Sequence, residues 1–434
     1  MSLISVNNLT FGYDGSLKNI FENVSFNIDT DWKLGLIGRN GKGKTTFLKL
    51  LLGKYEYQGA ISKNVEFDYF PFEVKNKERM AIEIVNEIAP NVEDWEIIRE
   101  LNLLNTDTEV LYRSFNLLSG GEQIKILLIS LFLKGNNFLL IDEPTNHLDI
   151  ETRNNLVNYL EKKKGFILVS HDRNFLDKVV NHIISINNTN IEIQQGNFSS
   201  WKENKNRQDN FEKIQNERLQ KDINRLEIAS KNCAKWSNEA EKTKNKKYNS
   251  ETTIDKGYIG HKADKMMKKS KVMEQRIEKA INEKTNLLKN IEVNDTLKII
   301  PLKSNKNPLI FAHNLQIKYS KETIFNPITF EVNNGDRVAL IGKNGIGKSS
   351  ILKLILGEEL QYNGEFMVAN DLKISYVSQS TEDLKGNLRT FAYDNKINES
   401  IFKAMLVKMG LSQFDFDTNI QDMSEGQKKK VLIA

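Results

Sequence analysis

A long internal repeat constrains the fold of this 434-residue chain more than any other feature. The segment LISVNNLTF, which begins at Leu3, is similar to LIFAHNLQI, which begins at Leu309. Each copy continues into an apolar run (LGLIG or VALIG), a glycine-rich loop and a second apolar run (TTFLKLLLG or SSILKLILG). Buried strand, loop and helix in this order form an α/β unit. The sequence therefore predicts two α/β domains with a different segment between them.

The middle segment differs from the repeats in charge and in periodicity. Between Lys202 and Lys289 there are 23 lysines and arginines but 14 acidic residues, although the whole chain has a net charge of only +5. Apolar residues recur there at spacings of three and four, which predicts two coiled-coil-like helices. A stretch from about 238 to 260 lacks this periodicity and is interpreted as the turn of a hairpin. We expect a first domain at 1–200, a basic helical hairpin at 201–300 and a second domain at 301–434.

The two glycine-rich loops, GRNGKGKTT from Gly38 and GKNGIGKSS from Gly342, fit the P-loop pattern. In such loops the backbone N–H groups point at phosphate oxygens, and the following helix adds its positive N-terminal dipole. A glycine-rich surface turn is disfavoured, because the pattern occurs twice in one register. The predicted nucleotide-binding residues are Gly38, Asn40, Gly41, Gly43, Lys44, Thr45 and Thr46 in the first loop, and Gly342, Asn344, Gly345, Gly347, Lys348, Ser349 and Ser350 in the second. The lysines would contact the β- and γ-phosphates, and Thr45 and Ser349 would bind Mg²⁺.

Acidic residues and a histidine follow two further apolar runs of the first repeat. FLLIDEPTNHLD reaches Asp142, which fits a Mg²⁺ partner acting through water, and Glu143, which fits the base that orients the attacking water. FILVSHDRNF reaches His171, whose imidazole could sense the γ-phosphate. Solvation of a strand end is the alternative for the acidic pair, and a structural role is the alternative for the histidine. A P-loop in the same repeat favours the catalytic interpretation.

Two other repeated features indicate nucleotide contacts less strongly. Tyr13 and Tyr319 occupy equivalent positions, where a ring could stack on adenine or simply lie half-buried on a strand. LLSGGEQIKILL and MSEGQKKKVLIA each begin a predicted helix whose N-terminus could bind a phosphate or a carboxylate. The residues at these helix starts are Ser119, Gly120 and Gly121 in the first repeat and Ser424 and Gly426 in the second.

Together these motifs resemble those of the ABC ATPases, which have P-loops, signature sequences like those at Ser119 and Ser424, an IDEP run like that at Ile141 and a switch histidine. The resemblance implies two ATP molecules, with Mg²⁺, bound between head-to-tail domains. One site would pair the Gly38 loop, Asp142, Glu143 and His171 with the Ser424 signature. The other would pair the Gly342 loop with Ser119. The protein would then be a monomer whose two domains dimerise within the chain.

Two such domains joined by a basic linker resemble the ABC-F subfamily, whose members act on the ribosome. Lys44 and Ser119 are 75 residues apart and Lys348 and Ser424 are 76 apart, which leaves no room for the extra arm that housekeeping members usually carry. The stretches LIDEPTNHLD and GYIGHKADKMMKKSKVMEQR look like those of the Lsa-type antibiotic-resistance members. That resemblance implies binding at the E site of the 70S ribosome, near the P-site tRNA. It also implies protection against lincosamides, pleuromutilins and streptogramin A. A housekeeping translation factor is the alternative.

Lysines crowd the predicted tip of the hairpin, where they could bind the phosphates of 23S rRNA. A solvated coiled-coil face is the alternative. The lysines concerned are Lys242, Lys244, Lys246, Lys247, Lys262, Lys265, Lys268, Lys269 and Lys271.

The sequence departs from the ABC pattern at three places. Phe72 stands where a Mg²⁺-binding glutamine is expected, although the second repeat keeps Gln379 there. Glu425 replaces a glycine of the second signature. Ala434 aligns with Ile129, so the chain stops 13 residues before a counterpart of Asp142. We therefore expect this chain to be part of a longer protein.

Three classes of protein are disfavoured by the sequence. No stretch approaches the roughly 20 apolar residues that span a bilayer, and the N-terminus lacks a signal-peptide pattern, so a cytoplasmic, ribosome-associated protein is expected. A DNA-repair ATPase would place a longer coil between P-loop and signature, so no DNA partner is expected. A transporter subunit would have no evident use for a basic hairpin.

Overall fold

A computed structural model defines the fold. It describes residues 3–13, 19–38, 41–135, 137–146, 148–187, 189–244, 265, 268, 271–273, 275–280, 304, 306–319, 322–370, 372–378, 380–381, 384–411, 416 and 418–434. The chain divides into two compact units. One combines Met1–Trp201 with Asp295–Ala434, and the other is Lys202–Asn294. Both glycine-rich loops therefore belong to one unit, whereas the division at residues 200 and 300 stays a prediction.

The first repeat contains a six-stranded sheet and a smaller antiparallel sheet. Its elements are β1 (Leu3–Phe11), β2 (Phe21–Asp29), β3 (Lys33–Ile37), α1 (Lys44–Leu51), β4 (Gln58–Ser62), β5 (Glu66–Phe70), α2 (Ala81–Ile88), α3 (Asp94–Leu103), α4 (Gly120–Leu133), β6 (Asn137–Asp142), α5 (Ile150–Leu160), β7 (Phe166–Val169), α6 (Arg173–Val179), β8 (His182–Asn187) and β9 (Asn190–Gln195). The larger sheet has the order β5-β6-β7-β3-β8-β9 and is parallel except for β8 with β9. The smaller sheet has the order β2-β1-β4.

Apolar residues on both faces of the parallel strands explain why this sheet forms the centre of the first repeat. All four residues of β7 are buried, and they alternate between two core clusters. Phe166 and Leu168 join a cluster with α2, α3, α4 and α5, while Ile167 and Val169 join one with β1 and α1. A parallel strand covered on both faces needs such a continuous apolar run. The sheet is therefore fixed between two layers, and its carboxyl edge is left to present polar residues.

The second repeat has the same small sheet but lacks the parallel one among the residues that the structure describes. Its elements are β10 (Ile310–Tyr319), β11 (Glu322–Thr323), β12 (Ile328–Val332), α8 (Lys348–Ile355), β13 (Gln361–Val368), α9 (Leu388–Asp394), α10 (Glu399–Lys408) and α11 (Glu425–Ile433). Strand β10 pairs antiparallel with β11, β12 and β13.

The predicted buried strand at Val338 is wrong. Residues 337–343 form no strand, and Val338 and Ile341 are 58% and 74% exposed. In the first repeat the equivalent β3 bonds to β7 and β8, which both follow the signature helix in the sequence. Counterparts of β7 and β8 would lie beyond Ala434. Because a strand exists only through bonds to neighbouring strands, the apolar run alone cannot form one.

The middle unit is helical where it is described. Helix α7 covers Phe198–Lys244, and the described residues among 265–280 are also helical. The turn predicted from about 238 therefore begins later than expected, since α7 continues to Lys244; residues 238–244 include several good helix formers. Ile223 and Ile277, two positions of the predicted apolar pattern, are 7% and 8% exposed. Met273, a third, is 54% exposed. The remainder of the predicted turn, 245–260, lies outside the described residues.

A buried ion pair joins α3 to the end of α5. The Glu100 side chain is 2% exposed, and its carboxylate contacts Nζ of Lys163 at 2.5 Å and the Arg99 guanidinium at 3.3 Å. Burial raises the pKa of Glu100, but the bonds from Lys163 and Arg99 outweigh it and leave this pKa below its usual value. The Lys163 ammonium also lies over the ring of Tyr159, 4.8 Å from its centre. The pair therefore fixes the helical layer that covers the sheet.

We predict that Lys163→Met lowers the free energy of unfolding by about 3 kcal/mol, because it leaves the Glu100 carboxylate buried with less compensation. Arg113→Met, which breaks the exposed pair with Glu109, is the matched control and should change stability by about 0.5 kcal/mol or less. Urea unfolding at pH 7 measures both. Because the pKa of folded Glu100 is depressed, the difference between wild type and Lys163→Met should shrink as the pH falls through that pKa. Equal effects of the two substitutions would contradict the prediction.

Candidate functional site

The first glycine-rich loop connects β3 to α1 at the carboxyl edge of the parallel sheet. Gly43 has φ +94°, and a Cβ there would lie 2.6 Å from a side-chain carbon of Ile20, so only glycine fits. Helix α1 begins at Lys44, whose Nζ donates to the Gly38 carbonyl at 2.8 Å. Predicted Asn40 lies outside the described residues, while Gly41 has φ +79°. The loop thus holds the Lys44 ammonium beside its own backbone.

The acidic pair lies beside this loop because β6 is parallel to β7, and β7 to β3. Thr45 donates from its hydroxyl to Oδ2 of Asp142 at 3.2 Å. The Tyr69 hydroxyl, on the neighbouring β5, donates to the same oxygen at 3.0 Å. The structure therefore brings the predicted metal-binding residues Thr45 and Asp142 together and adds Tyr69, which we did not predict.

Glu143 is held in a sterically unusual position after β6. Its φ is +52°, a left-handed value that non-glycine residues seldom adopt and that often occurs at functional sites. Its backbone N–H donates to the Val169 carbonyl at 2.9 Å, and the His171 N–H donates to its Oε2 at 3.3 Å. Nε2 of His171 lies 3.5 Å from Oε1, a buried atom with no hydrogen-bond partner among the described residues. The two predicted catalytic residues are thus adjacent.

Burial perturbs the ionisation of this cluster. Burial, aided by the charge of Asp142, raises the pKa of Glu143 to about 7, although the His171 N–H opposes the shift. Burial lowers the pKa of Lys44, against the attraction of Glu143 and Asp142. Burial and the Lys44 charge lower the pKa of His171. A carboxylate whose pKa lies near neutrality, beside a neutral imidazole, is suited to accept a proton from water.

The second glycine-rich loop repeats the geometry of the first without its acidic partners. Nζ of Lys348 donates to the Gly342 carbonyl at 2.8 Å, and Gly345 and Gly347 have φ +80° and +95°. Ser349 is exposed at the start of α8. Gln379, its predicted companion at the metal, lies outside the described residues.

The two tyrosines predicted to stack on adenine occupy matching positions. Tyr13 is 44% exposed, and its hydroxyl lies 2.9 Å from that of Thr46. Tyr319 is 49% exposed, and its hydroxyl lies 3.3 Å from that of Ser350. Each ring is therefore tied to the helix after its glycine loop while keeping an open face.

The two signature helices also begin alike. Ser119 caps α4, accepting from the backbone of Glu122 while the Glu122 carboxylate accepts from the Ser119 backbone. Ser424 caps α11 in the same way with Gln427. Such a capping box fixes the helix start. Gly120 and Gly121 form the first turn of α4, and Gly426 lies in the first turn of α11.

Contacts between the repeats involve the second glycine loop. Nζ of Lys343 lies 2.8 Å from the Glu151 carboxylate, and the Asn344 N–H donates to Oδ2 of Asp149 at 3.4 Å. Asp149 also caps α5 by accepting from the Thr152 N–H. The sequence analysis missed these residues of the first repeat, because only the fold places the start of α5 against the other repeat.

The residues at the first loop fit a magnesium ion held largely by substrate phosphates. Thr45 offers a hydroxyl and Asp142 a carboxylate, the oxygen donors that Mg²⁺ prefers alongside phosphates and water. Within the described part of the chain, no group of three histidine, cysteine or acidic side chains could hold a metal unaided. The donor set therefore suits a metal that arrives with its nucleotide.

A protein-family model described as ABC transporter matches residues 21–146 and 325–434, which include both glycine loops and both signatures. The chain belongs to the ABC transporter family. This assignment confirms the predicted class of enzyme, an ABC-type ATP hydrolase, and the prediction of two ABC nucleotide-binding repeats with an α/β fold. No helix among the described residues is long and apolar enough to cross a membrane.

Three curated ABC relatives illustrate the range of similarity. ATP-binding protein Uup of Buchnera aphidicola subsp. Acyrthosiphon pisum is 30% identical over 100% of this chain and 71% of the relative. Ribosome protection protein VmlR of Bacillus subtilis is 27% identical over 97% of this chain and 74% of the relative. ABC transporter F family member 2 of Arabidopsis thaliana is 33% identical over 46% of this chain and 31% of the relative.

We predict that Glu143→Gln stabilises the nucleotide-free ABC chain, and more so as the pH rises from about 5 to 8. Folded Glu143 has a pKa of about 7, above its unfolded value of 4.5, so the native state binds its proton more tightly and loses stability as that proton dissociates. Glutamine has no proton to lose. The gain at pH 8 should be on the order of 1–2 kcal/mol, reduced from the full shift by solvent screening. Thermal unfolding at both pH values measures it, with Glu78→Gln as the exposed control; a difference independent of pH would contradict it.

Proposed function

We propose that this chain is an ABC-F ATPase that acts on the ribosome and protects the peptidyl-transferase centre against antibiotics. The ATPase part rests on the cluster of Lys44, Asp142, Glu143 and His171 at one edge of the parallel sheet. The ribosomal part rests on the basic middle segment and on the similarity of nearly the whole chain to a ribosome protection protein.

In the proposed reaction, Glu143 accepts the proton of the water that attacks the γ-phosphate. The loop N–H groups and Lys44 bind the β- and γ-phosphates, and His171 positions Glu143 through its backbone N–H. Thr45 and Asp142 would hold Mg²⁺, which when bound supplies positive charge to the phosphate oxygens. Tyr13 would stack on adenine. The unpartnered Oε1 of Glu143 is the atom available to the water.

The composite sites of this proposal are head-to-tail, with each P-loop facing the other repeat. The contacts of Lys343 and Asn344 with Glu151 and Asp149 support this arrangement, because they place the second P-loop against the first repeat. The charge of Lys429, on the second signature helix, adds to burial and Lys44 in lowering the pKa of His171. This influence agrees with the Ser424 signature lying on the side of the first site.

The middle segment would form a helical hairpin that reaches into the ribosome and binds rRNA. Of its nine predicted RNA-binding lysines, Lys265, Lys268 and Lys271 are exposed. Lys242 and Lys244 lie in the last turn of α7, whereas Lys246, Lys247, Lys262 and Lys269 are outside the described residues. Exposed lysines in a basic segment suit phosphate binding that is insensitive to base sequence.

We predict that Glu143→Gln lowers the rate of ATP hydrolysis by about 10²- to 10⁴-fold, because it removes the proton acceptor but keeps the shape of the side chain. ATP binding should persist, and Lys44→Ala, which should lose binding itself, is the comparison. Phosphate release and fluorescent-ATP binding measure the two properties. Hydrolysis at the wild-type rate in Glu143→Gln would assign the base to another residue.

We further predict that the Glu143→Gln variant co-sediments with 70S ribosomes in the presence of ATP but not without it. Replacing Lys265, Lys268 and Lys271 together by alanine should weaken this association and reduce its dependence on salt by about 0.7–0.9 log units per lost phosphate contact. Replacing the exposed Lys63, Lys75 and Lys77 is the matched control. No enrichment on ribosomes under any condition would rule out ribosomal action.

Growth of a susceptible host separates resistance from a housekeeping role. Expression of the protein should raise the inhibitory concentration of lincomycin and of tiamulin, and Lys44→Ala should abolish the effect. Ribosome binding without any change in drug susceptibility would favour the housekeeping translation factor.

A further inference from the structure

Phe72 leaves the first nucleotide site without the amide expected at that position, and the structure shows where its side chain goes. Phe72 is half-buried and packs against the core cluster formed by the helices α2 to α5. It offers no oxygen or nitrogen atom to the nucleotide site. In the second repeat Gln379 occupies the equivalent position. The first site must therefore orient its acidic residue by other means.

The Tyr69 hydroxyl is the group that β5 brings to Asp142. Strands β5 and β6 are parallel neighbours, with Tyr69 opposite Leu140 and Phe70 opposite Ile141, so Tyr69 lies close to the end of β6. Its hydroxyl donates to Oδ2 of Asp142 at 3.0 Å. The ring is half-buried against the second core cluster, which fixes its direction.

The two hydrogen bonds to Asp142 both end on one oxygen. Thr45 and Tyr69 donate to Oδ2, and no described residue donates to Oδ1. A carboxylate fixed through one oxygen presents the other in a defined direction. Thr45 is itself a predicted metal ligand, whereas Tyr69 has no other predicted role. Tyr69 is therefore the donor dedicated to orienting Asp142.

We propose that Tyr69 is a positioning residue that takes over, through Asp142, the organisation of the magnesium site that a glutamine at position 72 would otherwise provide. This inference rests on the proposed ATPase function of the first site. It implies that the tyrosine and a glutamine at position 72 are functionally redundant, so that either one suffices while the loss of both is harmful.

The test measures magnesium-dependent binding of fluorescent ATP, which needs no turnover. Every variant carries Lys348→Met, which silences the second glycine loop. Tyr69→Phe should raise the Mg²⁺ concentration for half-maximal binding about tenfold, as expected for the loss of one hydrogen bond to a charged group. Binding without Mg²⁺ should stay unchanged. Adding Phe72→Gln to Tyr69→Phe should restore the wild-type Mg²⁺ requirement.

The control is Tyr376→Phe, since Tyr376 occupies the equivalent position in the second repeat and is 56% exposed. It should leave the Mg²⁺ requirement unchanged. An unchanged Mg²⁺ requirement in Tyr69→Phe, with normal ATP binding, would overturn this inference alone. Absence of ATP binding in the parent chain would instead overturn the proposed function. A lower unfolding temperature without a change in the Mg²⁺ requirement would reduce Tyr69 to a structural residue.

Discussion

The parallel pairing of β3, β6 and β7 is the constraint on which the rest of the first repeat depends. Parallel strands that start together also end together, so the loops after them meet at one edge of the sheet. That edge collects the ammonium of Lys44, the carboxylates of Asp142 and Glu143, and His171 from segments far apart in the sequence. The apolar layers on both faces hold the strands in register. The chemistry of the site is thus a consequence of strand pairing.

Much of the first site could be predicted because glycine loops and strand ends have local signals. The spacing of glycines around Lys44 reports the backbone that a phosphate needs, and the apolar run before Asp142 reports a buried strand that must end at its polar residue. Tyr69 could not be found in this way. Strand alternation does not tell which neighbouring strand a side chain will face, and the bond to Asp142 depends on β5 lying next to β6.

The second repeat marks the limit of reasoning from apolar runs. VALIG at Val338 has the composition of a buried strand, yet it is exposed and unpaired because its neighbours are not part of the chain. A glycine loop needs no such neighbours, since its bonds to Lys348 are local. Loop geometry was therefore predictable in both repeats, but sheet formation only in the first. Similarly, the contact of Lys343 with Glu151 arises from the folded unit and has no local signal.

The same argument explains why the two glycine loops differ in electrostatics although their backbones match. Lys44 lies beside Glu143 and Asp142, which β6 places next to the loop, and burial there lowers the pKa of Lys44 while raising that of Glu143 to about 7. Around Lys348 no described strand presents an acidic pair, and the apolar run before its loop is open to solvent. Burial is what shifts the ionisation of the first cluster, and the parallel sheet is what buries it. A P-loop thus supplies the phosphate cradle by itself, whereas a base with a pKa near neutrality requires the sheet.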